Sequence, residues 1–246
     1  MTQRSALDAL RSLIFYAVYS VSVAIYSAIM VVFFSPLPYP MRYRMVTLWN
    51  RFAIWWVRIC CGVRYTISGI ENLPARACVV VSNHQSSWET IFLATLFPQL
   101  SILLKRELLR IPLFGWALAL TRPIAIDRAS PRAALKQMVE TGARRLASGC
   151  SVLVFPEGTR VSAGQAIRFS RGAAQLAIQC GVDLVCVAHD AGKCWPPPRR
   201  LSKTPGRINV VIRTPLASAG QSAEALTTNA RNWIAARVAE FAYEKR

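Results

Sequence analysis

From residue 64 onward, short apolar runs alternate with longer segments of helical pattern, and this alternation constrains the fold more than any other feature of the chain. Apolar runs predict strands at 64–68, 77–82, 101–104, 123–127, 151–155, 183–188 and 207–213. Helical periodicity predicts helices at 87–97, 131–147, 170–180 and 222–242. Strands such as Cys78-Val79-Val80-Val81 are apolar on both faces, as a sheet covered by helices on each side requires. The expected fold class is therefore α/β, a largely parallel sheet flanked by helices. No internal repeat is visible. The segment 195–200, WPPPRR, reads as a basic surface loop.

The N-terminal part obeys different rules. Residues 12–41 carry no charge, and Leu13 to Phe34 is almost continuously apolar. As a helix that stretch spans roughly 33 Å, enough to cross a bilayer. It is too long for the core of a signal peptide. The proline-rich run 35–40 stops it. A second helix is predicted over 42–61. Its Arg44, Arg51 and Arg58 fall seven apart and line one stripe, with Trp49, Phe52, Trp55, Trp56 and Ile59 on much of the remaining surface. That pattern fits two membrane-associated helices, the second lying among headgroups. A surface coiled coil is the plainer alternative for the second. Arginines flank the first helix on both sides, so a full span and a shallow hairpin both stay open.

Composition points the same way. Hydrophobic residues make up 53% of the chain and charged ones only 17%, with 30 basic against 12 acidic residues and a net charge of +18. A basic, apolar chain suits an anionic lipid surface better than nucleic acid. The seven cysteines form no C-x-x-C pair and mostly sit in apolar runs. They read as buried thiols of a reducing compartment.

Five of the acids stand at predicted strand ends: Glu89, Glu107, Asp127, Glu157 and Asp190. Both histidines, His84 and His189, stand at strand ends too. In open α/β sheets ligands bind beyond the carboxyl ends of strands. The segment 83–89, NHQSSWE, puts an imidazole at such an end, with Glu89 placed to return toward it from a helix. A carboxylate on one ring nitrogen raises the basicity of the other, and that pair can take a proton from an alcohol. A surface histidine beside a helix cap is the plain alternative. The segment 155–160, FPEGTR, offers a stiff strand exit, a glycine that admits close ligand approach and a forked phosphate donor in Arg160. A turn with a surface ion pair competes with that reading. There is no G-x-S-x-G elbow, no Walker loop and no G-x-G-x-x-G. His84 and Glu89 lack zinc-motif spacing, so no metal is expected. The simplest chemistry is activation of a substrate hydroxyl by His84.

Taken in order, these blocks resemble the bacterial 1-acyl-glycerol-3-phosphate acyltransferases and the wider glycerolipid acyltransferase superfamily with its H-x4-D signature. NHQSSWE is similar to the first block, and Lys105-Arg106-Glu107-Leu108 through Ile111-Pro112-Leu113-Phe114-Gly115-Trp116 to the second. Ile126-Asp127-Arg128 follows, FPEGTR matches the third block, and VAHDAG at 187–192 resembles the fourth. Two departures stand out: Glu89 replaces the family's aspartate, and Cys186 and Asp190 stand where proline and asparagine are common.

The resemblance implies an acyltransferase domain at 63–246 behind anchoring helices at 1–62. It implies transfer of an acyl group from acyl-CoA or acyl-carrier protein to the free hydroxyl of a lysophosphatidic acid. His84 is then the general base and Glu89 its orienting partner. Lys105, Arg128, Glu157, Gly158, Thr159 and Arg160 hold the phosphoglycerol head. Backbone amides near 84–87 are candidates for the oxyanion. Residues 111–120 are either an acyl-chain wall or a packed, membrane-facing helix. No cofactor is implied beyond the acyl donor; the partners are anionic membrane lipids, at the cytoplasmic membrane with the domain on its cytoplasmic face. Three rivals remain: another lyso-lipid acceptor such as lyso-ornithine lipid, a thioesterase, and a non-catalytic basic module binding membrane or nucleic acid.

Overall fold

The computed structural model describes residues 3–127, 129–161, 169–196 and 202–243. Seven strands form one sheet: β1 (Val63–Ser68), β2 (Val79–Ser82), β3 (Leu100–Lys105), β4 (Ile124–Ile126), β5 (Ser151–Val154), β6 (Leu184–His189) and β7 (Gly206–Ile212). Their order across the sheet is β1-β7-β6-β2-β5-β3-β4. Every neighbouring pair is parallel except β6 with β7. The sheet is thus largely parallel, as the apolar runs predict. β2 lies between β5 and β6, and all of its residues are buried.

Helices cover both faces. One face carries α1 (Gln3–Ile29), α2 (Tyr39–Cys61) and α3 (Trp88–Leu93). The other carries α5 (Pro131–Ala147), α6 (Gly172–Cys180) and α7 (Ala223–Tyr243). A six-residue helix, α4 (Phe114–Ala119), sits between β3 and β4. On the first face Ala53, Ile54, Val57 and Cys61 of α2 pack with Val80, Leu153 and Val185 of the sheet. The N-terminal segment and the sheet therefore share one hydrophobic interior. α2 ends where Gly62 adopts a left-handed φ of 68° and its N–H returns to the carbonyl of Arg58.

The long apolar helix does not stand away from the domain. α1 continues as a π-helical turn, Met30–Phe34, and then meets the proline-rich stop. It runs antiparallel along α2: Tyr26 donates its hydroxyl hydrogen to the Met45 carbonyl, and Trp56 donates its indole N–H to that of Phe15. Phe15 itself is fully buried against Trp195. The opposite side of α1 exposes Leu13, Ile14, Val21, Ile25, Val32 and Phe33. On α2 the exposed stripe is Met41, Arg44, Leu48, Arg51, Trp55, Arg58 and Ile59. The tryptophans divide their labour. Trp55 faces outward, while Trp49 and Trp56 turn inward and tie α2 to α1. None of the seven cysteines is in a disulfide, and five of them are buried.

The sheet splits at one point. β3 pairs with β5 over Leu100–Ile102, then leaves it and pairs with β4 over Leu103–Lys105. The carboxyl ends of β5 and β3 are parted, and the gap opens into a cavity.

Candidate active site

His84 follows β2 and lies at the carboxyl end of the parallel strands. Its Nδ1 is 2.8 Å from Glu89 Oε1. Glu89 sits in the first turn of α3 and is fully buried. The same Oε1 accepts the N–H groups of Gln85 at 2.8 Å and Ser86 at 2.7 Å, and Oε2 accepts the Ser86 hydroxyl at 2.7 Å. Burial opposes ionisation of Glu89, but the imidazoles of His189 and His84 and the hydrogen bonds from His84 and Ser86 prevail, and its pKa falls to about 2. An ionised carboxylate only accepts, so Nδ1 carries the proton and Nε2 keeps its lone pair. The glutamate's extra methylene is thus absorbed within the turn, which folds back onto the carboxylate through its amides.

The ring is otherwise fixed by packing. Phe155 stacks on it with centroids 4.2 Å apart and planes 19° from parallel. The His84 backbone N–H donates to Glu157 Oε2 at 2.9 Å, and its carbonyl accepts from the Val161 N–H at 2.8 Å. Among the described residues Glu157 forms no ion pair, and it is partly exposed on the cavity wall. It bridges the end of β5 to the end of β2. Burial raises its pKa to about 7.

Arg160 donates through Nε to the Ser86 carbonyl and through Nη2 to the Ser87 hydroxyl, each at 3.1 Å. It clasps the turn that carries the histidine and keeps further donors for a ligand. Gly158 has φ of 71°, and a Cβ built there would meet nothing within 4 Å. The glycine serves a left-handed turn beside open space, where a ligand can approach the backbone.

The amides expected for an oxyanion are mostly committed. Those of Gln85 and Ser86 serve Glu89, and that of His84 serves Glu157. This corrects the expectation for 84–86. Among the described residues only the Ser87 N–H of that run lacks an acceptor.

Sequence reading also missed the role of the second histidine. His189 is buried; its Nε2–H donates to the Asn83 carbonyl at 2.7 Å and its Nδ1 accepts the Ala191 N–H at 3.2 Å. Asn83 in turn uses its whole amide on the His189 backbone. Burial lowers the His189 pKa, and the ring is neutral near pH 7. His189 is a brace that locks β6 to the residue before His84. Asp190 belongs to the same framework: it pairs with Lys193 and accepts the Asn209 N–H.

A cavity of about 1420 Å³ opens beside His84. Lys105, Glu157, Gly158, Thr159 and Arg160 line it together with His84, so these site residues converge. Arg128 lies outside the described residues. The rest of the wall is mainly apolar, from Val23 of α1, Met30 of the π-helical turn, Val46 of α2, and Leu103 and Leu104 at the gap. Residues 111–120 divide between the cavity and the outer surface. Phe114, Ala117 and Leu118 face the cavity, whereas Ile111, Leu113 and Trp116 are exposed. Among the described residues no three His, Cys, Asp or Glu side chains are grouped to hold a metal.

Residues 64–190 match the family model described as Acyltransferase. A 1-acyl-sn-glycerol-3-phosphate acyltransferase of Pseudomonas aeruginosa is 44% identical over 240 residues, covering 96% of this chain and 93% of the relative. The chain belongs to the acyltransferase family. The 1-acyl-sn-glycerol-3-phosphate acyltransferase beta of Homo sapiens is 30% identical, over 66% of this chain and 59% of its own. The crystal structure of the 1-acyl-sn-glycerophosphate acyltransferase PlsC from Thermotoga maritima superposes with a TM-score of 0.81 at 26% identity, covering 97% of this chain and 98% of that one. For an acyltransferase, an imidazole with a free nitrogen facing a cavity part basic and part apolar is the arrangement its chemistry needs.

Proposed function

We propose that this acyltransferase converts a 1-acyl-glycerol-3-phosphate into phosphatidic acid, with acyl-CoA or acyl-carrier protein as donor. The observation that carries the reading is the meeting of three features in one cavity: the His84–Glu89 pair, the cations Lys105 and Arg160, and a long apolar wall. A lysophosphatidic acid has the matching parts, a hydroxyl, a phosphate and a hydrocarbon chain.

In this mechanism His84 Nε2 takes the proton of the acceptor's free hydroxyl as its oxygen attacks the thioester carbonyl. Glu89 holds the tautomer and stabilises the imidazolium that forms. Collapse of the tetrahedral intermediate forms the ester and breaks the carbon–sulfur bond, and His84 returns its proton to the leaving thiolate. Lys105 and Arg160, with Arg128, grip the phosphate, while Gly158 and Thr159 give the glycerol close access. Glu157 positions the histidine from its backbone.

Residues 1–62 anchor the catalytic part, 63–246, to anionic lipid at the cytoplasmic face. The outward apolar side of α1 and the arginine-bearing stripe of α2 lie in the interface as a shallow hairpin. Their inner sides wall the cavity, so a lipid enters it without crossing water.

Purified enzyme assayed with one acyl donor against lysophosphatidic acid, lyso-ornithine lipid and other lyso-lipids tests this directly. Preferred acylation of lysophosphatidic acid is expected. Preference for another acceptor overturns the substrate, and full-rate donor hydrolysis without any acceptor overturns the transferase in favour of a thioesterase.

A further inference from the structure

A second basic concavity lies apart from the catalytic cavity, at the end of α2. It has a volume of about 530 Å³ and is lined by Arg58, Ile59, Gly62, Arg64, Gly206 and Arg207. Arg64 and Arg207 are register partners on the parallel strands β1 and β7, so their side chains leave the same face of the sheet side by side. Like charges in that arrangement repel unless an anion lies between them. Arg58 adds a third guanidinium from the last turn of α2. Among the described residues no carboxylate lines the notch, and none of the three guanidinium groups makes an ion pair or hydrogen bond. Its floor is glycine backbone: the Gly206 N–H donates to the Gly62 carbonyl. The volume of the notch leaves room for a phosphate to settle among the guanidinium groups.

Position says which anion. β7 is antiparallel to β6, with His189 opposite Val210, so the start of β7 lies at the sheet end that carries His84. The notch also continues the exposed stripe of α2, where Trp55 and Ile59 are the nearest apolar members, 53% and 60% exposed. A guanidinium cluster beside a bulky apolar stripe fits a headgroup phosphate with its hydrocarbon close by.

We propose that Arg58, Arg64 and Arg207 form a second anion site, which seats the headgroup phosphate of an anionic membrane lipid and fixes how the enzyme sits on the bilayer. The site rests on the proposed membrane attachment of residues 1–62. The test is partition of the full-length protein onto phosphatidylcholine vesicles with and without phosphatidylglycerol. Each arginine at an anionic surface is worth roughly fivefold in partition, so R64A/R207A should lose roughly 25-fold on the anionic vesicles and nothing on the zwitterionic ones. It should melt no lower than wild type, because the removed pair repels, and should keep wild-type turnover in detergent. R132A/R144A, on the opposite face of the sheet, should partition normally. R64K/R207K should still bind less well, because an ammonium lacks the guanidinium fork.

Wild-type partition by R64A/R207A overturns the site. Equal losses from R132A/R144A, or full retention by R64K/R207K, also overturn it, in favour of a diffuse basic surface. Displacement by inorganic phosphate at matched ionic strength would assign the notch to free phosphate and remove the lipid. Failure of wild type to bind either vesicle would instead sink the membrane attachment itself.

Discussion

Replacing Glu89 by glutamine tests the catalytic pair with little change of shape. Glu89 is fully buried and is absent from the cavity wall, so it touches no substrate. Its effect on rate must pass through His84. When His84 accepts a proton, the imidazolium and carboxylate charges lie about 4 Å apart, and at an effective dielectric of about 20 their attraction is about 4 kcal/mol. Glutamine removes that attraction, so kcat should fall about 10³-fold. KM for either substrate should stay within a few-fold. Glu89→Asp keeps the charge and should recover most of the rate. A second readout comes from stability. A carboxylate held at about 2 instead of 4.5 contributes about 3 kcal/mol at neutral pH, present above the unfolded pKa and lost as pH falls from 4.5 toward 2. Wild type should lose stability across that window, and the glutamine variant should be less stable at neutral pH but flatter in acid. Steady-state kinetics at saturating substrates and thermal melts against pH measure both. A glutamine variant with kcat within tenfold of wild type refutes the proton-transfer role, whatever the melts show.

Other perturbations read neighbouring parts of the site. His84→Ala should abolish turnover yet stay folded, measured by kinetics beside far-UV circular dichroism; residual activity near wild type would remove the general base. Arg160→Ala should raise KM for the lipid acceptor more than for the thioester, and should also lower kcat, because Arg160 clasps the 86–87 turn. Glu157 carries a folded pKa of about 7 against an ordinary 4.5, so its ionisation costs stability as pH rises between those values, about 2–3 kcal/mol in all. Glu157→Gln should therefore melt higher than wild type at pH 8, with the difference shrinking below pH 5. Asn83→Ala strands the buried N–H and carbonyl of His189 and should cost about 2–5 kcal/mol, visible in denaturant unfolding.

Local sequence was enough for the strands because parallel strands buried on both faces leave apolar runs that few other structures demand. Every predicted strand forms, with ends shifted by a residue or two. Helices were legible in proportion to their length. α5 begins at its proline and ends as predicted, whereas α3 stops at Leu93 rather than 97, and α4 fills only six residues of the 111–120 segment. Within the site, contacts spanning a few residues were readable. The five-residue step from His84 to Glu89 is one turn closing on itself. What stayed hidden depends on strand order. His189 braces Asn83, and Glu157 holds His84, only because β2 lies between β6 and β5. No spacing along the chain reveals that. The amide donors near His84 failed as an expectation for a related reason. A carboxylate buried without amide donors would be costly, so the turn spends its N–H groups on Glu89.

Basic charge and apolar surface are combined unevenly in this molecule, and the packing of the N-terminal helices is the reason. His84, Lys105 and Arg160 meet at the strand ends, while the wall leading away from them is built from the inner sides of α1 and α2. Those helices cannot be removed without opening the core, since α2 shares one hydrophobic cluster with residues of β2 and β5. Under the proposed function, catalysis and membrane contact thus rely on one pair of helices, whose outer sides are apolar on α1 and arginine-bearing on α2. A detachable anchor would not need Trp49 and Trp56 turned inward. Under the proposed membrane attachment, their placement ties the depth at which the helices sit in lipid to the position of the cavity mouth. A substitution that swings α1 outward, such as Phe15→Asp, should therefore reduce turnover even on substrates presented in detergent, which an anchor serving only attachment would not do.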